Sequence, residues 1–60
     1  MSFDAILREI DQLNSVSARL EELADRHPRM TDALVGVAES VRSTATVLAV
    51  LVVTRGAKPI

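Results

Sequence analysis

Ser43 to Gly56 reads STATVLAVLVVTRG, and the seven residues from Val47 to Val53 within it are all apolar. On a helix or a strand such a run leaves no side for water, because successive side chains point all round the first and to both faces of the second. Something must cover it: a membrane, another part of the chain, or another copy of the chain. The run is rich in β-branched residues and by itself also fits a buried strand. No second strand exists to pair with it, however, and a helical pattern enters it without a turn signal. That pattern is Met30, Leu34, Val37, Val41, Thr44, Leu48 and Leu51, a 4-3 spacing that marks one face of a helix.

Working outward, this second helix is amphipathic as far as Arg42, with Asp32, Glu39 and Arg42 on its polar side, and loses that side after Ser43. Thr31 followed by Asp32 reads as an N-cap and first turn. Arg55 and Gly56 read as its end, a cation in the last turn and a glycine at the C′ position. Pro59 closes a short tail. Upstream, Ser2 before Phe3 and Asp4 reads as the N-cap of a first helix. Phe3, Ile10, Ser17 and Ala24 share one heptad position there, and Ile6, Leu13 and Leu20 a second. Leu7, Val16 and Leu23 widen the stripe beyond a coiled-coil seam. Arg8, Asp11, Arg19, Glu22 and Arg26 take the other face, where Asp4–Arg8 and Glu22–Arg26 are spaced for i,i+4 ion pairs. Pro28 pushes His27 out of the helical region and ends the segment.

The expected fold is all-α: an antiparallel two-helix hairpin, helix 3–26, turn 27–31, helix 31–54 and tail 55–60, forming one domain over 1–60 and dimerising into a four-helix bundle. Composition points the same way. Sixty residues without cysteine and with one histidine must be stabilised without disulfides or a Cys-based zinc site, which leaves oligomerisation. Seven basic against eight acidic residues favour neither nucleic acid nor an anionic surface. The opening MSFDAILREI is acidic and amphipathic, unlike a signal peptide.

Each way of covering Val47–Val53 has consequences. A spanning helix wants about 20 apolar residues. Only twelve residues of any kind lie between Arg42 and Arg55, so a longer window takes in Glu39 and Arg42, and Trp and Tyr are absent. A monomeric hairpin leaves one side of the run in water. Association of hairpins covers it, with the second helix inside. The expected interface between copies is Leu34, Val37, Val41, Ala45, Leu48, Leu51 and Val52, and the hairpin core is Ile6, Ile10, Leu13 and Leu20. The small pairs Gly36–Ser40 and Ala45–Ala49 would allow two copies of the second helix to approach closely.

The residues offer little chemistry. His27 lacks a metal-binding partner four residues away (Leu23 and Thr31) or three before it (Ala24), and reads as a helix-end histidine meeting the last carbonyls. Glu21, Glu22 and Asp25 read as a solvated acidic face. Ser15, Ser17, Ser40 and Ser43 stand in no nucleophile motif. Ser17 sits at a core position, where it either sets register or bonds back to its own helix. Arg26, Arg29, Arg55 and Lys58 are the candidate anion contacts. They lie at opposite ends of one hairpin and meet only in an antiparallel dimer. No catalytic, metal or cofactor residues are assigned. The expected function is a non-enzymatic, cytoplasmic, homo-oligomeric assembly, adaptor or regulatory subunit. The alternatives are a small membrane-associated protein with the second helix inserted, and a weak nucleic-acid- or anion-binding regulator.

Overall fold

A computed structural model describes residues 3–56; residues 1, 2 and 57–60, Ser2 and Lys58 among them, lie outside the described residues. Two helices, α1 (Phe3–Arg26) and α2 (Thr31–Gly56), are joined by a 3₁₀ turn, Pro28–Met30, and pack against each other as an antiparallel hairpin. The expected bounds of α1 hold, and α2 runs two residues beyond Thr54. The 46–54 stretch is helix, which satisfies its own backbone where a strand would need a partner ladder. Thr46 at its start donates its hydroxyl to the Arg42 carbonyl at 3.0 Å.

The turn follows from Pro28. His27 is held at φ −129°, ψ 79°, outside the helical region, and its carbonyl accepts from the Met30 N–H at 2.8 Å. Thr31 is not the N-cap expected of it. It is already helical (φ −54°, ψ −52°), because the 3₁₀ turn runs directly into α2 and leaves no extended residue to act as a cap. Its hydroxyl instead reaches back to α1, donating to the Ala24 carbonyl at 2.8 Å with the His27 carbonyl at 3.3 Å. It thereby serves carbonyls that the end of α1 leaves without an intrahelical partner. At the far end Gly56 is not a left-handed cap, since no glycine among the described residues has positive φ. It lies against Phe3, whose ring is 3.7 Å from where a Cβ would stand, an ordinary contact distance.

The helices meet along a seam of small residues. Ser17 and Ala24 from α1 and Ala38 and Ala45 from α2 are the buried residues, at seven-residue spacing with Ile10, Thr31 and Val52 on the same line. Small side chains allow close approach of the backbones. Ser17 then donates its hydroxyl across the seam to the Ala38 carbonyl at 2.9 Å, so this serine fixes the register between helices. Around the seam Ile6, Leu13, Leu20, Leu34, Val41 and Leu48 are half-buried. Neither expected ion pair along α1 forms among the described residues, in keeping with the small gain from exposed pairs. The pair that does form crosses the hairpin: Arg42 Nη2 to Glu21 Oε1 at 3.0 Å, with both side chains about half exposed.

Candidate interaction surface

The narrow seam leaves much of the apolar content of the chain outside it, and helical geometry sorts that content onto two flanks. A residue that directly precedes a seam residue lies about 100° round the helix to one side, and a residue that follows it lies to the other. In an antiparallel pair the preceding positions of both helices share one face, and the following positions share the opposite face. The Glu21–Arg42 pair confirms this arrangement, since each side chain lies four residues after a seam position, Ser17 and Ala38.

The preceding positions are Glu9, Val16 and Leu23 on α1 and Met30, Val37, Thr44 and Leu51 on α2. The five large apolar residues of this set are all exposed. Thr44 adds to their character, because its hydroxyl is turned inward to the Ser40 carbonyl at 3.0 Å. Leu13, Val37, Val41 and Thr44 line an open groove here, together with Asp32, Ala33, Gly36 and Ser40 of α2. The following positions carry Asp4, Asp11, Asp25, Asp32 and Glu39, five of the chain's eight acidic residues. One face of the hairpin is therefore mainly apolar and the other acidic, with Asp32 at the border where it also lines the groove.

The Val47–Val53 run is more exposed than its composition suggests: Val47, Val50 and Val53 are 62%, 58% and 67% exposed. Phe3 and Leu7 of α1 are also exposed toward this end of the hairpin, which makes it a second apolar region.

The expected interface residues divide between these surfaces. Val37 and Leu51 are exposed on the apolar face, while Leu34, Val41 and Leu48 are half-buried between that face and the seam. Ala45 and Val52 lie elsewhere than expected. Ala45 is buried between α1 and α2 and Val52 is half-buried on the same line, so the hairpin itself uses them. Val16, Leu23 and Met30 complete the face and were absent from the expected set. The signal for them is their place one residue before each seam position.

The remaining candidates stay apart. Arg26 ends α1 and Arg29 lies within the turn, Arg55 stands at the other end of a molecule 52 Å long, and Lys58 lies outside the described residues. His27 is exposed and does not cap the helix end with its side chain; Thr31 takes that role. Among the described residues no three His, Cys, Asp or Glu side chains are grouped to hold a metal ion. No protein-family model, curated protein or solved structure matches the chain.

Proposed function

We propose that the chain is a non-enzymatic helical-hairpin module whose working state is an assembly of its own copies, serving as an adaptor, regulatory or structural subunit. The supporting observation is surface. The chain exposes 4810 Å², where a compact protein of 6.5 kDa exposes about 3,800 Å². Its radius of gyration is 14.4 Å against about 10 Å for a compact domain of this length. The excess of roughly 1,000 Å² per chain matches the ~800 Å² that each partner contributes to a standard interface. Each exposed Val, Leu or Met on the apolar face forgoes about 1.5–3 kcal/mol of burial, and a lone two-helix core is marginal at this size. The cytoplasmic location expected from the sequence belongs to the same reading.

The test is Leu48→Asp. Leu48 is half-buried between seam and face, so the carboxylate damages the hairpin and the assembly together, and loss of mass and of helix should coincide. A helical monomer from this variant refutes the reading.

A second reading has one observation in its favour: the helical segment Pro28–Gly56 is long and apolar enough to cross a membrane by length and composition. Here α2 inserts and α1 stays at the surface. Glu39 and Arg42 would lie inside the span, and Arg42 is already paired with Glu21 of α1. Partition of the expressed chain into the detergent phase would favour this reading over the first.

A further inference from the structure

The apolar face has a geometry that selects its occupant. We infer that a second copy of this chain docks antiparallel on it, about a two-fold axis at the level of Asn14 of α1 and Val41 of α2, with Glu9 of each copy set against Arg19 of the other. The inference rests on the self-association proposed above and specifies its face and direction.

Four observations carry it. The first is area, since the surface in excess of a compact chain is what one standard interface needs. The second is charge. The opposite face carries Asp4, Asp11, Asp25 and Glu39, with Asp32 between it and the groove, so two copies meeting there would repel.

The third is the spacing on α2. Leu34 and Leu48 each lie seven residues from Val41, about 10.5 Å along the axis. Met30 and Leu51 lie at nearly equal distances beyond them. A two-fold at Val41 sets each of these residues over its counterpart on the partner's α2.

The fourth is Glu9, the one charged residue among the flanking positions of this face. The Ser17–Ala38 hydrogen bond ties the two helices at these residues and so puts Asn14 at the same level along the hairpin as Val41. Glu9 lies five residues before Asn14 and Arg19 five after it, about 7.5 Å each way. The same axis therefore brings each Glu9 to Arg19 of the partner copy. A parallel pairing would instead set Glu9 at the level of Thr46 on the partner's α2, where the face offers Thr44 and Leu48 and no cation. In the antiparallel dimer the acidic faces point outward, and Val47, Val50 and Val53 are displayed at both ends.

The experiment is a charge swap read as the dimer dissociation constant by sedimentation. Within one chain Glu9 and Arg19 are about 15 Å apart along α1 and cannot pair. Recovery in a double reversal therefore reports a contact between copies. Glu9→Arg and Arg19→Glu should each weaken the dimer about tenfold, each affecting two symmetric rim pairs, and the double variant should return to within about threefold of the parent. A double variant no stronger than either single overturns the antiparallel arrangement. In parallel, Val37→Glu should abolish the dimer at concentrations where Val53→Glu retains it, and the reverse order would place the interface on the other patch. A parent chain that is monomeric throughout overturns self-association itself, an outcome distinct from both of these.

Discussion

Ala38→Leu probes the feature on which the hairpin depends, the close approach of α1 and α2. Ala38 is fully buried, Ser17 bonds to its carbonyl, and Ala24 and Ala45 share its line. Leucine adds three carbons at a point where the neighbours are themselves small. No flexible side chain on the seam can move aside, so the helices must separate. Overpacking of this kind costs about 1–3 kcal/mol, and the rigid surroundings put this case at the upper end. Separation also stretches the Ser17–Ala38 hydrogen bond, so the extra apolar surface of the leucine does not compensate. In a domain of this size about 3 kcal/mol lowers Tm by roughly 10–25 °C. The assay is thermal melting followed by far-ultraviolet circular dichroism, at equal protein concentrations because association makes Tm concentration-dependent. Ala18→Leu is the control: the same change one residue beyond the seam, at an exposed site, should stay within about 0.5 kcal/mol of the parent. Equal melting of Ala38→Leu and the parent would refute a seam closed around Ala38.

Three further outcomes are expected. Ser17→Ala removes the cross-seam hydrogen bond and should cost about 0.5–1.5 kcal/mol in a denaturant titration; an unchanged midpoint would show that the bond does not set the register. Gly36→Ala should raise stability by about 0.8–1 kcal/mol, because Gly36 is helical and a Cβ there meets nothing within 4 Å. A fall in stability would reveal a backbone of another copy packed against it. A double-mutant cycle on Glu21→Gln and Arg42→Gln should give a coupling of about 0.2–1 kcal/mol that shrinks with added salt. A larger, salt-independent coupling would mean that the pair is shielded from water.

The sequence carries much of the fold because the heptad line is continuous. Ile10, Ser17 and Ala24 on α1 are followed at the same spacing by Thr31, Ala38, Ala45 and Val52 on α2, and Pro28 with His27 marks the turn between them. What misleads is size. Large residues at 4-3 spacing look like a seam, so Met30, Val37, Thr44 and Leu51 draw attention, while alanines look like mere helix formers. In the structure the alanines close the seam, because only small side chains let these backbones approach, and the large residues stand on the flank. Hence Ala45 was expected between copies and lies within one. Thr31 misleads differently: a hydroxyl that opens a helix reads as an N-cap, and the 3₁₀ turn makes it a donor to the preceding helix. The candidate surface could have been found by reading one residue back from each seam position. That reading separates an apolar row from an acidic one.

Whether copies of this chain cover its apolar face decides what kind of molecule it is. Light scattering coupled to gel filtration, without detergent and over a hundredfold range of concentration, measures this directly. The expected result is a helical species of about 13 kDa, twice the 6.5 kDa of one chain, or a higher multiple, persisting on dilution. A soluble, fully helical monomer at every concentration would contradict it.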